Sequence, residues 1–470
     1  MSLSAAGSRT PASPSGGVLV IGEALIDVVA RDGESTAHPG GSPMNVAVGL
    51  ARLGVPALLH SAIGHDDYGD LIRTHLDASG VRLSAESVTD AATSVAEATI
   101  DERGAAEYAF QIQWDPRPFA AADGYSVVHT GSIATVLAPG RDTVRGIVEA
   151  SRATATISFD PNVRPKLSGT REEALALVLD LVRLADVVKA SDEDVEWLHP
   201  GRDPREVAAE WQALGPSIVV VTRGGDGALA VTSSDAVEVP APATALVDTV
   251  GAGDSFMAAM IAALDERSLT GASHRAELAA IDRQTLVEVI EFAARSAAIT
   301  VGRAGANPPW FHEVHTAATG GSGFVLTRTI DASADEVFRA WTEPARLGWF
   351  HSGLAPATIA TEVDLRVGGA WRQQMIVGDG NDYITGGVYR ELSPPHALAF
   401  TWGAVGGWPL LDAADPRSGP SATVVLEAEG DSTTMTFSVD LADGFTADEV
   451  VQCRGGWEQT IDRLVDSFAR

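Results

Sequence analysis

From Val18 onward the chain carries short runs that are apolar throughout: VLVIG, ALLHSAIG, YSVVHTG, TISFD, DVVKAS and SIVVVTRG. Turn residues bound each run, and helical segments such as NVAVGLARLG and REEALALVLDLVRLA separate them. Strands without polar alternation belong to a parallel sheet covered on both faces, so this pattern predicts an α/β domain reaching about Pro309. TSVAEATI and AEYAFQIQW instead alternate apolar and polar positions, as strands with one exposed face do. They predict a small projecting sheet, placed to cover a substrate and exclude water. After Trp310 the texture changes: HTAATGGSG, from His315 to Gly323, has a linker's composition. Beyond it FVLTRTI, GAWRQQMIV, YITGGVYREL, ALAFTWG, ATVVLEAE and TTMTFSVDL read as antiparallel strands, and ADEVFRAWTEPARLGWF and GGWEQTIDRLVDSFAR as helices. The expected organisation is a disordered tail over 1–17, an α/β domain over 18–311, a linker over 312–323 and an α+β domain over 324–470.

Composition narrows the function. With 45% hydrophobic and 20% charged residues the chain is expected to be globular, and a formal charge of −30 argues against nucleic acid or an anionic membrane as partner. No apolar run of about 18 residues is present and residues 1–17 lack a secretory core, which predicts a cytoplasmic protein. The single cysteine, Cys453, excludes an intramolecular disulfide framework and is expected to be a packed side chain.

Two glycine-rich stretches carry candidate chemistry. In DTVGAGDSF, Asp248 to Phe256, the small residues Gly251, Ala252 and Gly253 precede an apolar segment with the character of a buried helix. A helix N-terminus behind unshielded amides binds anions. Asp254 would repel such an anion unless it has work to do, and taking a proton from an attacking hydroxyl is such work. An ordinary N-cap is the plain structural alternative. The second stretch, Gly40-Gly41-Ser42-Pro43-Met44-Asn45, allows close backbone approach, and Asn45 both donates and accepts, as recognition of sugar hydroxyls requires. Asp27, read as the end of the first strand, adds a carboxylate acceptor.

Together these residues resemble the PfkB (ribokinase-like) carbohydrate kinases. GGSPMN with Ala47, Gly54 and Gly64 matches one signature of that family, and DTVGAGDSFMAAMI the other. The resemblance implies a three-layer α/β/α fold with a β lid, and transfer of the γ-phosphoryl group of ATP to a primary sugar hydroxyl. It implies Asp254 as catalytic base, Gly251, Ala252 and Gly253 as the anion hole, and Asp27, Gly40, Gly41 and Asn45 as sugar contacts. KASDED, with Lys189, Ser191 and Asp194, falls where the family carries an Asn-x-x-Glu motif linked to Mg²⁺ and phosphate; Ser191 and Asp194 stand in for that pair. Thr222, Gly224 and Gly227 resemble the nucleotide-binding turn, and Asp248 part of a loop that binds K⁺ in some members. DPNVRPKL looks most like fructokinases, although 2-keto-3-deoxygluconate kinases share a segment containing the equivalent of Arg164. The lid sequence EYAFQIQW lacks the arginine that would meet an acidic sugar, which favours fructose. A sugar and nucleotide sensor without turnover is the non-catalytic alternative, and pairing of lids into a homodimer is a further expectation of the family.

The C-terminal stretch resembles the START-like, helix-grip (SRPBCC) superfamily, of the type related to the activator of the heat-shock ATPase. TRTIDASADEVFRAWTEPARLGWF, EVDLRVGGAWRQQM, GGVYRELSPPHALAFTW and GGWEQTIDRLV carry the resemblance. It implies a curved sheet around a long C-terminal helix, with either an apolar ligand or a protein partner. Trp341, Trp349, Trp371, Trp402, Trp408 and Trp457 are expected chiefly in its core, and His351 and His396 in solvent.

Overall fold

The computed structural model describes residues 17–31, 34–100, 106–120, 124–315, 323–350, 360–375, 383–405, 419–430, 432–441 and 445–468. The expected tail up to residue 16, most of the expected linker (316–322), His351 and Trp408 lie outside the described residues.

A nine-stranded sheet forms the centre of the first domain. Its order is Ala236–Val239, Ala228–Val231, Ile218–Thr222, Val187–Ser191, Thr156–Asp160, Tyr125–Gly131, Gly17–Ile21, Ala57–His60 and Arg82–Leu83. From Ile218–Thr222 onward the pairing is parallel, and the first two strands turn back antiparallel at the edge. Two apolar layers cover it. One joins the helices Ser42–Arg52, Ala252–Glu266 and Arg283–Val301 to one face, and the other covers the opposite face with residues such as Val148, Leu181 and Trp211. Apolar residues on both faces are why the strand runs show no alternation.

The lid is larger than the alternating segments predict. It has four strands, ordered Glu34–Gly40, Leu25–Arg31, Val95–Ile100 and Ala106–Gln111. Asp27 therefore stands on a lid strand and not at the end of the first central strand, because the chain leaves the main sheet at Gly22. Gly22 packs so closely on Pro43 that a Cβ there would lie 2.2 Å from Pro43 Cγ.

The second domain is an antiparallel sheet, from Gly323–Ile330 through Ser432–Asp440, Ser421–Glu429, Ala397–Thr401 and Tyr383–Ser393 to Ala370–Met375 and Glu362–Val363, with the helix Ala447–Phe468 packed on it. Trp341, Trp349, Trp371 and Trp457 are buried in one aromatic cluster with Phe350, Phe400 and Phe437. The cavity bordered by Trp341, Trp371, Gln373 and Tyr389 has a volume of about 20 Å³. That is room for a single water, which the unpaired amide of Gln373 would hold. No described helix is long and apolar enough to cross a membrane.

Candidate active site

The carboxyl ends of the parallel strands, at Ile21, Gly131, Asp160, Ser191 and Thr222, lie along one edge, the place where open α/β sheets bind ligands. Two helices begin there. Gly41 caps the helix Ser42–Arg52 with φ 113°, and Gly251 caps Ala252–Glu266 with φ 76°. A side chain at Gly251 would also strike Ala306, whose Cα lies 2.8 Å from the Cβ position. Only glycine satisfies both demands.

The helix starts meet at Asp254, which is 6% exposed. Its Oδ1 accepts from Ser42 Oγ at 2.6 Å, and its Oδ2 from Asn45 Nδ2 at 2.8 Å. Asn162 Nδ2 approaches Oδ1 at 3.5 Å. A carboxylate offers about four lone-pair directions, so acceptor capacity remains for a hydroxyl proton. The amides of Gly251 to Gly253 open the helix and present its positive end beside that carboxylate, with Ala252 N also donating to the Thr249 carbonyl at 3.3 Å.

Asp27 is exposed, although surrounding groups desolvate it and raise its pKa against the pull of Arg164 and His38. Its Oδ2 occupies the space over Gly40, where a Cβ would come within 2.0 Å, so Gly40 is what admits it. Arg164 is exposed and donates to Asn162 Oδ1 at 2.6 Å.

Lys189 stands differently from its expected role on the nucleotide. It is 3% exposed, its Nζ lies 2.7 Å from Asp160 Oδ2, and it donates to the Gly253 carbonyl at 3.3 Å. It supports the anion turn from behind, with its charge already matched by Asp160. Burial raises Asp160 to about 6 even against the ammonium beside it.

Ser191 and Asp194 form a capping box on the helix Asp192–Leu198: Ser191 Oγ accepts from Asp194 N at 3.0 Å, and Asp194 Oδ2 from Ser191 N at 2.8 Å. Asp194 Oδ1 accepts from Val163 N at 2.7 Å. With one backbone amide on each oxygen, Asp194 caps its helix; the resemblance links it to Mg²⁺ only by way of phosphate and water. No cluster of three or more metal-binding side chains occurs among the described residues.

Asp248 joins two turns, its Oδ1 accepting from Val250 N at 3.0 Å and its Oδ2 from Gly305 N at 2.8 Å. Those backbone hydrogen bonds hold its pKa below the ordinary value. Thr222 ends its strand, and Gly224 and Gly227 take positive φ in the turn that follows. At Gly227 a Cβ would lie 2.0 Å from the Val239 carbonyl oxygen.

The chain belongs to the pfkB family of carbohydrate kinases. Residues 16–312 match the profile described as pfkB family carbohydrate kinase, and residues 331–469 match that of Activator of Hsp90 ATPase homolog 1-like protein. A fructokinase of Rhizobium leguminosarum bv. trifolii is 33% identical over 281 residues, covering 57% of this chain and 85% of that protein. A fructokinase of Salmonella typhimurium is 33% identical over 260 residues, covering 53% of this chain and 84% of that protein. Among solved structures, fructokinase with bound ATP from Xylella fastidiosa superposes with a TM-score of 0.57 at 26% identity, covering 64% of this chain and 97% of that one. A double-mutant fructokinase from Vibrio cholerae O395, in its fructose, ADP and potassium ion bound form, gives a TM-score of 0.52 at 25% identity, covering 63% and 95%. The α/β domain is thus an ATP-dependent sugar kinase with a ribokinase-like fold, and the C-terminal domain is of START type.

Sequence reading missed Ser42 as a partner of Asp254, the Asp160–Lys189 pair, and the buried Glu23, whose Oε2 accepts from Ala134 N at 3.1 Å. All three lie in or beside quoted motifs, but their contacts depend on helix docking and strand register. Neither can be read from residue identity.

Proposed function

We propose that this chain phosphorylates fructose on a primary hydroxyl, with Asp254 as the base. Asp254 held between Ser42 and Asn45 at the mouth of the anion turn is the observation that carries the reading. Asp254 takes the hydroxyl proton, and the Gly251, Ala252 and Gly253 amides stabilise charge on the transferred group, where preorganised donors act most strongly. Asp27, Gly40, Gly41 and Asn45 orient the sugar; Thr222, Gly224 and Gly227 receive the nucleotide. Mg²⁺ would reach the site on the nucleotide phosphates and water, with Asp194 linked to it through them. K⁺ would use the lone pairs that Asp248 retains at the joined turns. The fructokinase relatives support the sugar, as does the lid segment EYAFQIQW, which has no cation for an acidic substrate. Arg164 at the cleft supports 2-keto-3-deoxygluconate as the second reading.

Copies of the chain pair through their lids in this proposal, and the enzyme works in the cytoplasm. ADP release across fructose, glucose, ribose and 2-keto-3-deoxygluconate, with and without Mg²⁺ and K⁺, tests the assignment. A preference for fructose supports it. Faster turnover of the acid transfers it to the second reading, and sugar binding without ADP release leaves a sensor. Light scattering tests the dimer.

A further inference from the structure

The C-terminal domain meets the kinase domain far from the strand ends that carry the site. Its strand Tyr383–Ser393 presents Arg390 and Glu391 to the far ends of the two active-site helices and to the short helix Phe311–His315. Arg390 is 5% exposed, donates to Glu266 Oε1 at 3.1 Å, and places its guanidinium 4.9 Å from the Phe311 ring centroid. Glu266 is the last residue of the helix that begins beside Asp254. The Arg390 carbonyl oxygen lies 2.5 Å from where a Cβ on Gly54 would be, and Gly54 follows the end of the helix that begins with Ser42.

Glu391 is completely buried. Both its carboxylate oxygens lie 2.9 Å from His312 Nδ1, and Oε2 also accepts from His312 N at 3.1 Å. Pro56 reaches across as well, its Cγ lying 2.8 Å from a Cβ position on Gly368. A fully buried carboxylate paired with the helix Phe311–His315, which packs on the kinase helix Arg283–Val301, would be left uncompensated by separation, so the joint is built to stay closed.

We propose that the C-terminal domain is a brace for the kinase: by holding the far ends of the Ser42 and Asp254 helices, it sets how Ser42 and Asn45 meet Asp254. Rigid helices carry displacement along their length, and the Ala252–Glu266 helix spans about 20 Å from the site to the joint. Arg390 and Glu391 are positioning residues on this account, and the account rests on Asp254 acting as the base.

The test uses the full chain with Glu266→Arg, Arg390→Glu and the two combined, reading kcat, KM for the sugar, and the small-angle scattering radius. Each single reversal is expected to expand the particle and lower kcat by roughly three- to tenfold with little change in KM, while the exchanged pair restores both. Expansion with unchanged kcat would overturn the brace. Singles that neither expand the particle nor show coupling would overturn the joint itself. If Arg390→Glu does not fold, Glu391→Gln replaces it: lower kcat with expansion supports the brace, and parental kcat overturns it. A parent chain with no turnover on any sugar overturns the kinase reading and the effect on kcat together, whereas scattering still decides the joint.

Discussion

Gly49 and Ala258 touch one helical turn beneath Asn45 and Asp254: a Cβ on Gly49 would lie 2.7 Å from the Ala258 Cβ, below the hydrogen bond of 2.8 Å that joins Asn45 to Asp254. The missing side chain sets the spacing of the two helices and so the geometry at Asp254. Gly49→Ala gains about 1 kcal/mol of helix propensity, but overpacking a tight contact costs about 1–3 kcal/mol. The expected result is a lower Tm and a lower kcat, both restored by adding Ala258→Gly. A higher Tm with parental kcat would show that this contact does not govern the site.

Replacing Asp254 removes the proton acceptor while preserving shape. Asp254→Asn is expected to lower kcat by roughly 10²–10⁴, the contribution typical of a general base. Circular dichroism should remain native, since Ser42 Oγ can still donate to the amide oxygen. Turnover within a factor of about three of the parent would be incompatible with Asp254 as base, because a positioned base contributes far more.

The placement of Asp254, Gly251, Gly41 and Asn45 was legible because it arises within short contiguous motifs: a positive φ demands glycine, and a carboxylate at a glycine-rich helix start needs a reason. The parallel sheet was legible because burial on both faces removes alternation from TISFD and SIVVVTRG. Asp27 was misplaced because GEALIDVV reads as a continuation of the first apolar run, whereas Ile26 pairs in parallel with Val95, far along the chain. Such pairing leaves no local trace. Ser191 and Asp194 are the opposite case: the spacing in KASDED already satisfies the capping-box rule, so their mutual contact is local and legible. The joint at Arg390 and Glu391 was invisible because each sits in an ordinary strand, and their partners lie on another domain.

Lys189 and Asp160 form a buried pair beneath the anion turn. Lys189→Met leaves the Asp160 carboxyl without its cation, and loss of one member of such a pair costs about 3–5 kcal/mol. Asp160→Asn combined with Lys189→Met removes both charges and should recover much of that stability in urea titrations. Activity should not recover in parallel, because the support on the Gly253 carbonyl is still missing. Equal recovery of stability and kcat would mean that Lys189 contributes to charge balance alone.

Glu23 provides a pH signature with a defined sign. It is 3% exposed, and burial pushes its carboxyl up to about 7, against the Ser132 hydroxyl and the Ala134 amide that favour the charged form. Ala134 N donates to its Oε2 at 3.1 Å. Because its folded pKa lies above the unfolded value of 4.5, the native state takes up the proton first as pH falls. Stability from this group therefore rises between about 7 and 4.5 on acidification, and above about 7 the buried charge is a cost. Glu23→Gln keeps an oxygen for the Ala134 amide and removes the charge. The variant should exceed the parent in unfolding free energy at pH 8 by roughly 1–3 kcal/mol, and the difference should shrink toward pH 5. A difference that grows on acidification would show that the carboxylate, and not the acid, is the form this site stabilises.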